Sequence, residues 1–573
     1  MRQIIENLVS GIIKQLQDEG ILPSGELPEY KVERPRDESH GDFATNAALV
    51  LSRFAKMKPR DLADKMLSAL PANQKEVDRW EVAGPGFINF HIAPDRIRQL
   101  IPDILKAKQN YGTSKVGAGK RILVEFVSAN PTGPMHVGHG RGAVMGDAIA
   151  SVLQVTGHKV EREYYINDAG NQVGVLGWSV MLRYFELYNR SITMPEGCYP
   201  AQYVVDIAKA LKEQDGDKWL SVELDMTSSP PAQVVDFAMD MIMGWIRNEL
   251  ATVNIHFDNW FSERTLHADG KIEATIEQLT AKGLIYEGVL APPKGKLPDD
   301  WEARPQLLFK STQFGDAEDR ALKKSDGSAT YFAADIAYHF EKAGRGFDLL
   351  IDVWGADHGG YVKRVQAALT ALTDKKNLLE VELVQMVNLV RGGEPVKMSK
   401  RDGTFVTLAE VVEEVGSDAV RFIFLTRSGG APLDFDLELA VSKSNDNPVY
   451  YVQYAHARIH AVYRQLAEKG LSVSLGDGKG DLSCLTQDAE MSLIRLLGTY
   501  PEMLEGAALH REPHRVPYYL IDLASAFHTY YNSHRILDDD VVLLGARLSL
   551  INAVRQVLAN GLTLLGVTAP EKM

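Results

Sequence analysis

The order of apolar and polar positions predicts a chain made of several modules. An apolar run at residues 122–127, ILVEFV, precedes a loop, a helical pattern over 137–155 and a second apolar run at 160–166. Strand, helix and parallel strand in this order are typical of a doubly wound sheet with helices on both faces. In such sheets the ligand lies beyond the carboxyl ends of the strands.

The same pattern returns after a mixed stretch at about 172–309. The predicted elements there are strands at 349–354 and 381–390 and a helix at 362–372 between them. A further helix is predicted to begin after Thr407, which forms a capping box with Glu410. We therefore expect a Rossmann-type parallel-sheet domain over residues 121–410, and the mixed stretch is its insertion.

Different patterns flank this domain. Residues 1–112 combine an amphipathic helix over residues 1–20 with further helical and strand-like segments, so an α+β module is expected there. After the central domain, apolar positions recur at helical spacing. Residues 411–449 are expected to be a connecting helical segment and residues 450–573 an all-α bundle. The predicted fold class is multidomain α/β.

Composition limits the cellular setting and the kinds of site. The 573 residues include two cysteines, Cys198 and Cys484, which lie far apart in the sequence. No disulfide framework and no structural zinc site is therefore expected, and a cytoplasmic protein is favoured. No run reaches the ~18 apolar residues of a membrane span. The net charge of −14 argues against non-specific binding to nucleic acid but leaves a specific RNA partner open.

Two histidines at a predicted helix start form the first candidate site. His136 and His139 stand at positions i and i+3, so both imidazoles lie on one helical face. The amino end of a helix attracts phosphate, and Gly138 lets a nucleotide approach the backbone closely. A metal pair and two ordinary surface histidines are the alternatives. The sequence between them lacks the glutamate of zinc proteases.

A basic run, KMSKR at residues 397–401, forms the second candidate site. Glycines on both sides of it predict a flexible loop that could close over phosphate. Lys400, assisted by Lys397, could lend positive charge to a departing pyrophosphate. Alone, such a run could be a solvated patch of charge. Because neither motif supplies a covalent nucleophile, together they indicate chemistry by positioning and electrostatic stabilisation.

The two motifs together resemble HIGH and KMSKS, the hallmark sequences of class I aminoacyl-tRNA synthetases. Within that class the chain resembles arginyl-tRNA synthetases of the bacterial type over essentially its whole length. The segments that carry this resemblance are SANPTGPMHVGHGRG, GDFATNAAL, AGPGFINF, WGADHGGY, QYAHARI and LGVTAPEKM.

The resemblance implies a monomeric arginine–tRNA ligase. Such an enzyme forms arginyl-adenylate from L-arginine and ATP, with Mg²⁺, and passes the arginyl group to the 3′ end of tRNA(Arg). AMP and pyrophosphate are released. His136 and His139 would stabilise charge at the α-phosphate, and Lys397 and Lys400 would do so at the pyrophosphate.

An arginine pocket needs acids, because a guanidinium prefers planar carboxylate partners. Glu125 lies five residues before Asn130, and Asp335 lies four residues after Tyr331, one helical turn away. The resemblance implies that these four residues and His358 bind arginine. The alternatives are a strand carboxylate paired with a structural arginine for Glu125, and a surface turn for Asp335.

Nucleotide binding is expected along the same edge of the sheet. Asp357 follows a predicted strand, where a carboxylate could hold ribose hydroxyls, although an ordinary turn would explain it too. Backbone at Met386 and Val387 is a candidate contact for adenine, and core packing is the rival explanation. The complete expected ATP set is Ser128, Gly133, Gly138, Gly355, Asp357, Met386, Val387 and Met398.

The outer modules carry the expected tRNA contacts. Unstacked bases prefer aromatic and guanidinium surfaces. By resemblance, the amino-terminal module contacts the tRNA elbow and the bundle contacts the anticodon region, and the extreme carboxyl terminus is also implicated in tRNA binding. The expected residues are Phe87, Asn89, Tyr454, Arg458, Tyr531, Arg535 and Met573. Ordinary packing would account for several of them equally well.

Three rival functions stay open at this point. Another class I synthetase is the nearest, but a cysteine-specific enzyme needs zinc ligands that this sequence lacks, and enzymes for large aliphatic amino acids carry longer editing insertions. A cytidylyltransferase-type enzyme would leave both outer modules unexplained. A catalytically inactive RNA-binding regulator is the third, and the intact histidines and lysines count against it.

Overall fold

The computed structural model describes residues 1–35, 37–71, 74–290, 304–396, 406–472 and 476–573. The amino-terminal module contains a four-stranded antiparallel sheet with the order β1-β2-β4-β3. Its elements are α1 (Arg2–Asp18), β1 (Val32–Glu33), β2 (Phe43–Thr45), α2 (Ala47–Ala55), α3 (Pro59–Ser68), β3 (Val77–Ala83), β4 (Phe87–Ile92), α4 (Pro94–Arg98) and α5 (Leu100–Ala107). Ile5, Val9, Ile12 and Leu16 of α1 recur at helical spacing and are buried, which orients this helix on the module.

The central part of the chain alternates strands and helices. In chain order its elements are β5 (Arg121–Phe126), α6 (Val137–Val155), β6 (Lys159–Ile166), α7 (Asn171–Glu186), α8 (Gln202–Asp215), α9 (Ala232–Thr252), β7 (Asn259–Ser262), α10 (Glu263–Ala268), α11 (Lys271–Ala281), β8 (Ile285–Gly288), β9 (Gln306–Phe309), β10 (Arg320–Lys323), α12 (Tyr331–Gly344), β11 (Leu349–Gly355), α13 (Val362–Thr373), β12 (Leu379–Val384), β13 (Val387–Arg391) and β14 (Glu394–Pro395). The helix predicted over residues 137–155 is confirmed.

Five of these strands form a parallel sheet with the order β12-β11-β5-β6-β7. From β5 the chain winds outward through β6 to β7, then returns to β11 on the other side of β5. The direction of winding therefore reverses between β5 and β11, and ligands of doubly wound sheets bind at such a point. The predicted Rossmann-type fold class is confirmed. Strands β8, β9 and β10 form a separate antiparallel sheet.

The single strand predicted over residues 381–390 is wrong. β12 ends at Val384, and β13 belongs to a different sheet, with β14 and the later strand at residues 433–436. Between the two strands, Gln385 is hydrogen-bonded to residues that are distant in the sequence. The guanidinium of Arg141 donates to the Gln385 carbonyl oxygen at 2.9 Å, and the Gln385 N–H donates to the Gly429 oxygen at 2.8 Å.

The rest of the chain is mostly helical. Its elements are α14 (Leu408–Val415), α15 (Ser417–Phe424), β15 (Leu433–Asp436), α16 (Leu437–Val441), α17 (Pro448–Glu468), α18 (Asp488–Leu497), α19 (Tyr500–His510), α20 (Arg515–Ser533) and α21 (Val541–Leu564). Residues 411–449 are therefore not purely helical as predicted. In β15, Leu433 and Phe435 are buried and Asp434 is exposed, a period of two that fits a strand.

The bundle that follows packs against the amino-terminal module. Arg34 pairs with Glu502 at 2.9 Å and Arg495 pairs with Asp42 at 2.8 Å, so polar contacts tie the two ends of the chain together. Helix α21 is long and apolar enough to cross a membrane, which the sequence expectation overlooked. Its most apolar window is 67% buried against other parts of the protein, as in the core helix of a bundle.

Candidate functional site

A cavity of about 600 Å³ opens at the carboxyl ends of β5 and β11, where the winding of the sheet reverses. Side chains and backbone from β5, α6, α12, β11 and the β12–β13 turn form its wall. Eleven of the expected site residues line it: Glu125, Ser128, Asn130, His136, Gly138, His139, Asp335, Gly355, Asp357, His358 and Met386.

The paired histidines lie at the amino end of α6. His136 occupies the N-cap position, and the two imidazole rings stack with their centroids 3.6 Å apart. The Nδ1 atom of His139 accepts a hydrogen bond from the His136 backbone N–H at 3.3 Å. A Cβ atom on Gly138 would lie 2.8 Å from the His136 ring, so a side chain there would displace the imidazole. The helix end and both rings face the cavity, which suits an anionic group.

The basic loop lies outside the described residues, and with it Lys397, Met398 and Lys400. Its two flanks are described. The Val396 N–H donates to the Leu389 oxygen at 2.9 Å, and the Val137 N–H donates to the Val406 oxygen at 3.3 Å. Since Val137 follows His136 directly, the chain that leaves this loop is hydrogen-bonded to the histidine motif.

Asp335 supplies a carboxylate to the cavity wall. Its carboxylate is half-buried in the cavity wall and accepts a hydrogen bond from the Tyr361 hydroxyl at 2.5 Å. Burial raises the pKa of this carboxyl, and no lysine or arginine within the described ranges pairs with it. Burial also raises the pKa of nearby Glu263, and the charge on Asp335 adds to that effect. This end of the cavity would therefore favour a cationic ligand.

Glu125 is another acid of the cavity wall. Its charged partner is a lysine and not the structural arginine of the alternative interpretation. Its Oε2 atom lies 2.7 Å from the Lys342 ammonium, not beside an arginine, and its Oε1 atom accepts from the Ser128 hydroxyl at 2.8 Å. Val127 and Ser128, which follow β5, have φ values of 68° and 41°. Left-handed backbone at a β-branched residue is strained, and such strain often marks a functional turn.

The ligand geometry of Glu125, His339 and Asp352 is compatible with a metal ion, since their donor atoms lie within 4.8 Å of one another. The Lys342 ammonium, however, is 2.7 Å from Glu125 and 2.8 Å from Asp352. A lysine side chain of the protein therefore occupies the cationic position among these acids, and this cluster does not suit a divalent metal.

The opposite wall of the cavity comes from the residues after β11 and from the β12–β13 turn. A Cβ atom on Gly355 would lie 2.5 Å from the Asp357 carboxylate, so a side chain there would displace that carboxylate from its present position. Asp357 and His358 are exposed, and the Oδ2 atom of Asp357 lies 3.6 Å from the Nε2 atom of His358. The Met386 side chain is 64% exposed and lines the cavity, so it offers an apolar surface to a ring.

Three described residues of the expected arginine and ATP sites lie away from the cavity lining. Tyr331, on the first turn of α12, is 57% exposed. Gly133 packs against Tyr203, whose ring would lie 3.0 Å from an added Cβ. The Val387 side chain is buried in the apolar core. Only the backbone of Val387 could then serve a ligand, as the sequence interpretation proposed.

Comparisons with known proteins identify the domains of this chain. The arginyl tRNA synthetase N terminal domain matches residues 3–92, the class I (R) tRNA synthetase catalytic domain matches 100–212, and the DALR anticodon binding domain matches 452–573. An arginine–tRNA ligase of Magnetococcus marinus is 60% identical over 575 residues and covers 100% of both chains. One from a Jannaschia species is 51% identical over 577 residues, with 99% of both chains covered.

The chain belongs to the arginyl-tRNA synthetase family. The solved arginyl-tRNA synthetase of Thermus thermophilus shares its fold, with a TM-score of 0.74 over 100% of both chains and 23% identity.

In the helical bundle of the present chain, aromatic and cationic side chains lie together between α17 and α20. The Arg458 guanidinium lies 4.1 Å from the Tyr531 ring centre and 5.7 Å from that of Tyr454. Tyr454 also stacks on His528 with centroids 5.6 Å apart. Arg535 pairs with Asp539 at 3.0 Å.

The amino-terminal module presents Phe87 and Asn89 on β4 in different environments. Phe87 is 41% exposed, whereas Asn89 is buried, with its amide nitrogen lacking a hydrogen-bond partner among the described residues. An unsatisfied buried donor is costly, and a ligand atom could satisfy it. At the other end of the chain, Met573 is exposed.

Several residues of this site escaped the sequence interpretation. Tyr361 ends the WGADHGGY segment, whose aromatic residue was a signal that could have been used. Glu263 and Lys342 stand in ordinary helical patterns, so nothing local marks them. Arg141, in the HVGHGRG segment, is buried and donates to the carbonyl oxygens of Gln385 and Ser428 at 2.9 and 3.0 Å.

Proposed function

We propose that this arginyl-tRNA synthetase joins L-arginine to tRNA(Arg) in two steps. The carboxylate of arginine first attacks the α-phosphate of ATP, which forms arginyl-adenylate and releases pyrophosphate. The terminal ribose of the tRNA then takes the arginyl group and AMP leaves. The observation that carries the proposal is an acidic cavity that adjoins two stacked histidines at a helix amino end.

Two of the acids in the cavity wall, Asp335 and Glu125, match the two cationic groups of arginine. Asp335 receives the guanidinium, because no described lysine or arginine pairs with its carboxylate and a second acid, Glu263, lies near it. Glu125 receives the α-ammonium group, because β5 runs from it directly into the loop that carries His136. The arginine carboxylate then lies toward the histidines, with Asn130 and His358 of the cavity lining around the amino acid and Tyr331, one helical turn before Asp335, outside that lining.

The phosphate chemistry is electrostatic. His136 and His139 stabilise the charge that develops at the α-phosphate, and Lys397 and Lys400 stabilise the leaving pyrophosphate. ATP is held by Ser128, Gly133, Gly138, Gly355, Asp357 and Met398 and by the backbone at Met386 and Val387. Magnesium arrives with the triphosphate as part of the substrate. No residue is covalently modified, and we expect no structural zinc.

RNA binding belongs to the outer modules. Phe87 and Asn89 offer a ring and a buried amide donor to an unpaired base. Tyr454, Arg458 and Tyr531 offer a stacking surface, and Arg535 and Met573 extend the expected tRNA contacts.

The proposed domains are residues 1–112, 121–410, 411–449 and 450–573, and the last of them binds the anticodon region. We expect a cytoplasmic monomer that does not associate with membranes.

The direct test is aminoacylation of bulk bacterial tRNA with radiolabelled amino acids. Labelled arginine should become acid-precipitable with tRNA, and labelled lysine and citrulline should not. Tryptophan, as a large neutral amino acid, gives the background. Charging with another amino acid and none with arginine would refute the substrate assignment.

A further inference from the structure

Two acids meet side by side beneath the cavity. Glu125 on β5 and Asp352 on β11 are register partners on adjacent parallel strands. Both side chains are buried, and like charges directly opposite each other destabilise a sheet. A counter-charge must therefore hold this pair together.

Lys342 supplies that charge from α12. Its side chain is fully buried, and its ammonium donates to Glu125 Oε2 at 2.7 Å and to Asp352 Oδ1 at 2.8 Å. The remaining carboxylate oxygens have their own partners. Ser128 donates to Glu125 Oε1, and the His339 Nε2 atom lies 2.7 Å from Asp352 Oδ2. The Glu125 carboxylate is thus held from both sides.

We propose that Lys342 is a positioning residue for arginine binding. It fixes the Glu125 carboxylate at the cavity wall in the orientation that meets the α-ammonium group of arginine. Lys342 itself lies beneath the wall and touches no substrate. The inference rests on the proposed function, since it takes arginine as the ligand.

A purely structural role for Lys342 makes a different prediction. If the lysine only neutralised two acids, removing one positive and one negative charge together would restore both the fold and arginine binding. If it positions Glu125, the same double change would restore the fold and leave arginine binding weak. The variant Lys342→Met with Asp352→Asn separates these roles, whereas Lys342→Met alone leaves two buried acids facing each other and could fail to fold.

The readout is binding of two ligands by calorimetry. Arginine carries the α-ammonium group and 5-guanidinopentanoate lacks it, while both keep the guanidinium and the carboxylate. In the double variant, arginine affinity should fall roughly 10- to 100-fold, the range of a charge-assisted hydrogen bond. Affinity for 5-guanidinopentanoate should fall much less, so that the two ligands become nearly equal. The affinity for ATP should stay within about twofold of the native value.

Arg547→Met is the matched control. Arg547 pairs with Glu490 at 3.0 Å, and both side chains are buried in the carboxyl-terminal bundle. This variant should lower the melting temperature and leave arginine affinity unchanged. Native arginine affinity in the double variant, or an equal loss for both ligands, would overturn the inference about Lys342. If the protein without substitutions binds no arginine, the proposed function is overturned as well. This result is distinguishable because it does not depend on the double variant.

Discussion

The carboxylate of Asp335 accepts a hydrogen bond from the Tyr361 hydroxyl at 2.5 Å, and no lysine or arginine of the described ranges pairs with it. Burial disfavours the charged form of this acid, and the raised pKa of Asp335 expresses that cost. The binding of a guanidinium would relieve it.

Asp335→Asn should therefore reduce discrimination between arginine and citrulline. A neutral amide cannot match the charge of the guanidinium, and charge-assisted hydrogen bonds contribute roughly 1.5–3 kcal/mol. The ratio of kcat/KM for arginine to that for citrulline should fall at least about tenfold, with the KM for ATP little changed. An unchanged ratio would place Asp335 outside the guanidinium pocket.

His139→Ala and Lys400→Ala should both act on adenylate formation. Loss of one preorganised group that stabilises charge in the transition state commonly costs ~10²–10³ in kcat. Arginine affinity should stay close to native in both variants. Lys375→Ala is the control, because Lys375 is exposed just before β12, at the amino ends of the parallel strands, whereas the cavity lies at their carboxyl ends. Near-native turnover with only a weaker affinity for ATP would contradict the assigned roles.

Tyr531→Ala should weaken tRNA binding and spare the small substrates. Lost stacking on a base costs ~1–3 kcal/mol, so the Kd for tRNA should rise roughly 5- to 150-fold. Tyr518→Ala on the same helix is the matched control, because the Tyr518 hydroxyl is bound to the Thr426 oxygen, away from the cluster around Arg458. Filter binding measures both. Equal affinities for the two variants would make Tyr531 a packing residue.

Glu249 should make stability depend on pH. Burial raises the pKa of its carboxyl to about 7, and Oε2 accepts the Met135 N–H at 3.0 Å. The folded protein then binds the proton more tightly than the unfolded chain does. Stability from this group is present below the unfolded pKa of about 4.5 and is lost as pH rises through about 7.

Glu249→Gln keeps an acceptor for Met135 and removes the titration. The melting temperature of this variant relative to native should therefore rise as pH increases from 5 to 8, in a series of thermal melts. A difference that stays constant over this range would show that Glu249 is an ordinary solvated acid. Glu277→Gln, an exposed change on α11, controls for the loss of one negative charge.

The sequence predicted the parts of the site that depend on local pattern. The helix over residues 137–155, the histidines at its start and the strand that carries Glu125 all follow from nearby residues. The partner of Glu125 could not be predicted, because Lys342 lies 217 residues further along the chain. The position at which β12 ends could not be predicted for the same reason. Its last residue is followed by Gln385, whose hydrogen-bond partners Arg141 and Gly429 lie far away in the sequence.

The central claim is that arginine is the amino acid this chain activates. ATP–pyrophosphate exchange with each of the 20 amino acids, run with and without bulk tRNA, tests it most directly. Arginine should be the only strong substrate, and exchange should require tRNA if RNA contacts with both outer modules align the basic loop and the acidic pocket. Exchange with arginine in the absence of tRNA would refute that coupling alone. Exchange that another amino acid drives, or none under either condition, would contradict the account.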